Sequence, residues 1–175
     1  MLTTRLPSRV EPYKLAARAE HLEGLMALDG FARLTDEVGA QAGDCRVWLD
    51  FGIDAQGRRV IRGRLEAELR LPCRRCLSPL AQRVESEFLL GMVTSDALAA
   101  ELPSTHEPVL VENEQLNLLT VVEDELILSL PQVVYHDEAD CEVSRDQLTS
   151  GADAEAAREP AASPFEVLKR LKGKH

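Results

Sequence analysis

The sequence predicts an α+β fold: an antiparallel sheet with a covering helix, a short N-terminal helix and a C-terminal amphipathic helix. Two patterns carry that expectation. Runs between residues 47 and 93 alternate apolar and polar side chains, the period of a half-buried strand, and turn-forming residues separate them. Residues 116–130 form an apolar and acidic run that stops at Pro131, where a helix would have to end.

At 175 residues the chain suits one domain with a hydrophobic core, plus tails. The expected division is a single α+β domain over 1–136, a mobile acidic linker over 137–163 and a basic helix or tail over 164–175. Hydrophobic residues make up 45% and charged residues 29%, an ordinary globular balance. Only 4% are aromatic, which weighs against a row of base-stacking platforms. No apolar run approaches the roughly 20 residues that span a bilayer. The start, Met1 to Pro7, has no apolar core or small-residue cleavage site, so a cytoplasmic protein is expected. Its four cysteines are then reduced thiols or metal ligands rather than disulfides.

Residues 12–23 open with Pro12, continue with good helix formers and end at Gly24, which reads as a short helix. Asp29-Gly30 suggests a tight hairpin turn between two short strands within 25–38. Val47, Leu49, Phe51 and Ile53 alternate with Trp48, Asp50 and Gly52, and Asp54 to Gly57 turn the chain back. On the return strand Ile61, Leu65, Ala67, Leu69 and Leu71 share one face, while Arg62, Arg64, Glu66, Glu68 and Arg70 share the other. A third strand covers 82–93, and a further short one is expected at 108–112. Residues 116–130 can be read as a strand, with Asp124 on the face of Val122 and Leu126, or as a helix, the preferred reading, in which Leu119, Val122, Leu126 and Leu130 stack on one stripe and Glu123, Asp124 and Glu125 point away. Residues 137–160 turn acidic and nearly lose bulky apolar side chains, so they cannot repay the entropy of folding. Residues 164–172 alternate Phe165, Leu168 and Leu171 with a basic end.

The charge is segregated. Residues 58–83 carry eight arginines against two glutamates, a local +6, whereas the other 149 residues hold 12 basic and 28 acidic side chains. Guanidinium grips phosphate by planar bidentate hydrogen bonds better than ammonium does, and this stretch has no lysine. Arg62, Arg64, Arg70, Arg74 and Arg75 are the candidate RNA contacts. The plain alternative is a solvated sheet whose arginines pair with nearby acids.

Cys73 and Cys76 have the two-residue spacing that lets both thiolates reach one tetrahedral zinc. A single pair is half a site, so thiols that merely shape a tight turn are the first reading, with no cofactor. Were zinc held, His136 and Cys141 are the residues that could complete the set. Cys45 reads as a small buried hydrophobe, and His21 and His106 as surface residues. No Gly-rich phosphate loop or nucleophile elbow is present, so no catalytic residue is expected.

Three patches together resemble the YceD family, the bacterial large ribosomal RNA subunit accumulation proteins. They are Leu71-Pro72-Cys73-Arg74-Arg75-Cys76-Leu77-Ser78-Pro79, Val121 to Pro131, and Pro164 to Leu168 ahead of a basic terminus. The resemblance implies a non-enzymatic role in synthesis, processing or stability of 23S ribosomal RNA, with that RNA or large-subunit assembly intermediates as partners. It also implies a cysteine-bearing, metal-binding segment after the helix, where this chain keeps Cys141, with His136 as the substitute. The rival expectation is a protein-protein adaptor whose acidic surface meets a basic ribosomal protein or an rRNA-processing enzyme.

Overall fold

The computed structural model describes residues 4–143. The chain divides into two compact units, Met1–Tyr135 and His136–His175, and every strand and helix described below belongs to the first. Residues 144–175, which include most of the expected acidic linker and the whole expected C-terminal helix, lie outside the described residues.

The fold is α+β, built on a five-stranded sheet in the order β2-β3-β4-β5-β6. Its strands are β2 (His21–Ala27), β3 (Asp44–Ile53), β4 (Arg59–Pro72), β5 (Pro79–Val93) and β6 (Glu107–Leu110). The first four pair antiparallel, whereas β6 runs parallel to β5 after a crossover through the short α3 (Asp96–Ala99). A separate two-stranded ribbon joins β1 (Arg9–Val10) to β7 (Leu116–Asn117).

Period-two patterning became strand wherever both faces could be satisfied. In β4, Ile61, Leu65, Ala67, Leu69 and Leu71 are at most 5% exposed, while Arg62, Arg64, Glu68 and Arg70 are exposed. The β3–β4 turn closes as its residues predict: the Asp54 carboxylate accepts from the backbone N–H groups of Gln56 (2.9 Å) and Arg58 (2.8 Å), and Gly57 takes a positive φ of 83°. Helix α4 (Leu118–Leu128) covers the apolar face with Leu118, Val122 and Leu126 fully buried, and Asn117 caps it by accepting from Leu119 N and Thr120 N.

Two sequence expectations are overturned near the N-terminus. Helix α1 (Pro12–Ala17) ends there instead of running to residue 23, because Ala19 turns left-handed (φ 50°) and His21–Ala27 pair with β3. Sheet pairing there outweighs local helix propensity. Asp29-Gly30 makes no hairpin: Leu28–Gly30 form a 3-10 turn into α2 (Ala32–Val38), which sinks Phe31 and Leu34 into the core. Gly30 also lacks the positive φ that a type I′ hairpin needs.

One close approach in the central pair requires a glycine. Gly63 stands directly opposite Phe88, and a Cβ at Gly63 would lie 2.0 Å from the ring atoms Cε2 and Cζ. The ring occupies the volume that any other residue's side chain would claim. Gly63→Ala is expected to destabilise the fold by about 1–3 kcal/mol through overpacking, and Phe88→Leu in the same chain is expected to recover part of the loss. Urea unfolding of the parent and the two variants checks this; a Gly63→Ala chain as stable as the parent contradicts it.

Candidate RNA-facing and metal-ligating site

Register places the cysteine turn. Strands β4 and β5 stay paired to Pro72 opposite Pro79, so residues 73–78 form the tip of the longest hairpin in the fold. The tip is tied by backbone hydrogen bonds from Cys73 N to Ser78 O (3.0 Å) and from Leu77 N to Cys73 O (2.9 Å). Leu77 adopts a left-handed φ of 64° to close it, an uncommon conformation for a non-glycine residue. The Arg75 N–H donates to the Cys73 sulfur at 3.4 Å.

After α4 the chain returns to this tip. Arg74 N donates to Val134 O at 2.9 Å, and the Arg75 guanidinium lies over the Tyr135 ring, 5.6 Å from its centroid. His136 follows directly, and Asp140 N donates to Asp137 O (3.0 Å) in the turn that leads to Cys141. The ligand atoms of Cys73, Cys76, His136 and Cys141 all lie within 4.8 Å of one another. Four donors around a tetrahedral ion with zinc–sulfur bonds of about 2.3 Å stand roughly 3.8 Å apart, so this Cys3His group needs little closure to hold a metal. The half site read from spacing alone is thus joined by the two further candidates that the sequence offered.

The five candidate arginines divide into two groups. Arg62, Arg64 and Arg70 project together from the outer face of β4, and Arg74 and Arg75 sit in the turn. Arg64 pairs with Glu66 and approaches Glu85 (3.8 Å), while Arg83 reaches the same Glu66 (3.2 Å) and Glu85 (2.6 Å). Among the described residues no carboxylate pairs with Arg62, Arg70, Arg74 or Arg75. The continuous cationic strip expected from composition is therefore interrupted at its centre. It persists at Arg62 and from Arg70 to the tip.

The acidic run of α4 differs from expectation as well. Glu123 and Glu125 are each only 6% exposed, not turned to solvent. Glu123 accepts from the backbone N–H groups of Arg33 (2.7 Å) and Leu34 (3.2 Å) and from Arg33 Nε (2.9 Å), and Asp124 completes the clamp on the Arg33 guanidinium. The first turn of α2 has no side-chain cap of its own, so a carboxylate some ninety positions away satisfies its open N–H groups. His106 also departs from expectation: its side chain is 9% exposed, with Nε2 3.7 Å from Asp54, whereas His21 is exposed as expected. Cys45 is fully buried, and burial pushes its thiol up to about 12. Sequence reasoning passed over Tyr135 and Arg33; Tyr135 is one of only seven aromatic residues in the chain, which was the available signal.

The family profile described as "Large ribosomal RNA subunit accumulation protein YceD" matches residues 61–172. The chain belongs to the YceD family. A curated member from Haemophilus influenzae, also named large ribosomal RNA subunit accumulation protein YceD, is 36% identical over 176 residues, covering 99% of this chain and 100% of that protein. The search of solved structures returned no match. No helix among the described residues is long and apolar enough to cross a membrane. The matched region of this YceD-family chain contains the hairpin tip, α4 and both halves of the Cys3His group.

Burial, with Glu107 and Asp124 close by, raises the Glu125 carboxyl from its ordinary 4.5 to about 7. A folded-state value above the unfolded one contributes stability below about pH 4.5, and that contribution is lost as pH rises through about 7. Glu125→Gln, which keeps the neutral shape, is expected to be more stable than the parent at pH 8 by on the order of 1–3 kcal/mol and to converge with it near pH 5. Urea unfolding at both pH values measures the gap; a gap independent of pH contradicts the assignment.

Proposed function

We propose that this protein is a non-enzymatic accessory factor in biogenesis of the large ribosomal subunit, which supports synthesis, processing or stability of 23S rRNA by binding it through the hairpin tip and the arginines beside it. The observation that carries this reading is the tip itself: Arg74 and Arg75 sit between two metal-competent cysteines, unpaired with any described carboxylate, in a chain of formal charge −10. Phosphate contacts by guanidinium give affinity without sequence reading, which suits a protein lacking base-reading motifs. The acidic remainder repels polyanion from other faces and so narrows the docking pose. The Haemophilus influenzae relative carries large ribosomal RNA accumulation in its name, and the same role for this chain agrees with its exposed arginines.

Charge reversal at both positions, Arg74→Glu with Arg75→Glu, is expected to weaken association with large-subunit precursors and with their RNA. Losing two phosphate contacts should also reduce the slope of log affinity against log salt by roughly 1.4–1.8. Gradient co-sedimentation and salt titration read both effects, and unchanged co-sedimentation contradicts the proposal. The adaptor reading draws its support from the pairing of Arg64 and Arg83 with Glu66 and Glu85. Partners that persist in a pull-down after nuclease treatment would favour it.

We further propose that Cys73, Cys76, His136 and Cys141 hold one structural zinc. Zinc would supply binding energy that ties the hairpin tip to the chain following α4, and three thiolates around a dication leave one net negative charge beside two arginines. Elemental analysis of the purified full chain is expected to find one zinc per chain, falling to background in Cys73→Ser. A metal-free parent chain with unaltered stability in chelator contradicts the site.

A further inference from the structure

Away from the hairpin tip, a cavity of about 500 Å³ opens on the sheet between β3, β4, β5 and the loop before β6. That volume lies in the range of about 300–1,000 Å³ in which small ligands bind. Trp48, the single tryptophan of the chain, lines it, and the Arg64 guanidinium lies 5.6 Å from the indole ring centroid. Arg62, Glu87, Ser104 and Thr105 line it too.

The charges on its wall decide what it would take. Arg62 and Arg64 stand against Asp50, Glu87 and Glu107, so the cavity carries no positive excess with which to trap a phosphate. Arg64 is engaged by Glu66, and Asp50 accepts a 2.8 Å hydrogen bond with His21 Nδ1. Arg62 and Glu87 have no ion-pair partner among the described residues. An exposed cationic fork, a carboxylate acceptor, hydroxyl groups and an indole π-face together match a flat, neutral heteroaromatic with donors and acceptors along one edge.

We infer that this cavity receives the base of one unpaired purine nucleotide of the bound RNA, stacked against Trp48 and hydrogen-bonded along its edge by Arg62 and Glu87. Purine rather than pyrimidine follows from the stacking surface, because the two-ring base covers more of the indole face than a one-ring base does. The inference rests on the RNA-binding reading and adds a subsite that discriminates unpaired from paired RNA, because a base inside a duplex cannot reach the indole. Duplex RNA would engage only the arginines of the hairpin tip.

The test uses the full chain and Trp48 emission, which reports this cavity alone because no other tryptophan is present. The probes are a short single-stranded oligoadenylate and oligoguanylate, an oligouridylate, and a fully paired RNA duplex of equal length. Saturable quenching by the purine strands, weaker quenching by oligouridylate and none by the duplex is the expected result. Arg62→Ala, an exposed position that leaves the core intact, should reduce purine-strand affinity and quenching, and Trp48→Leu should lower affinity by about 5- to 150-fold, read by fluorescence anisotropy of labelled RNA. Arg74→Glu with Arg75→Glu should weaken strand and duplex alike. Anisotropy that shows tight RNA binding with unaltered Trp48 emission overturns the cavity inference and leaves the RNA reading standing. Absence of RNA binding in anisotropy overturns both.

Discussion

The hydrogen bond from Arg74 N to Val134 O joins two stretches that lie about sixty positions apart in the sequence, and the candidate site is built around that junction. Without it the hairpin tip would be a loop of two arginines and two thiols on the end of a long β-ribbon. With it, Tyr135 comes under Arg75. The same bond limits the freedom of the tip before any partner binds, so less conformational entropy remains to be lost on association. A metal held by the four donors would reinforce a geometry that the backbone already favours.

Electrostatics on the sheet follow the same economy. Cross-strand neighbours put Glu66 and Glu85 between Arg64 and Arg83, so the middle of the arginine-rich stretch is closed by paired charges of the kind that add little at an exposed surface. Along the outer face of β4 and the turn that follows it, positive charge without a described carboxylate partner remains at Arg62, at the rim of a cavity that holds Trp48, and from Arg70 to Arg75 toward the hairpin tip. An RNA held at both would be contacted through phosphate at the tip and through a base at the cavity. Glu123 takes no part in this; it spends its lone pairs on the start of α2, which keeps Phe31 and Leu34 in the core beneath the sheet.

Much of the fold was legible because period two leaves a mark in the amino-acid order. Ile61 to Leu71 and Val84 to Met92 could hardly bury their apolar set in any other way, and Asp54 to Gly57 carry the turn chemistry that joins β3 to β4. Elements whose reason lies far off in the chain were not legible. Nothing near Ala32 announces a helix whose cap is Glu123, and nothing near His21 shows that a strand partner at Asp50 will outcompete a helical preference. The outward arginines could be read from alternation, and so could pairing along one strand, Arg64 with Glu66 and Arg83 with Glu85, but the cross-strand contacts of Arg64 with Glu85 and of Arg83 with Glu66 arise only once β5 has its register. Four candidate metal ligands could be named from the chain, yet sequence alone showed only the Cys73 and Cys76 spacing and not the proximity of the four donor atoms.

Ultraviolet crosslinking in cells, with the attached peptides and RNA both identified, addresses the central claim most directly. Adducts on the peptide spanning Leu71 to Pro79, joined to large-subunit ribosomal RNA, are the result that this structure predicts. Adducts confined to other parts of the chain, or a protein that enters precursor particles without touching RNA at all, would contradict it.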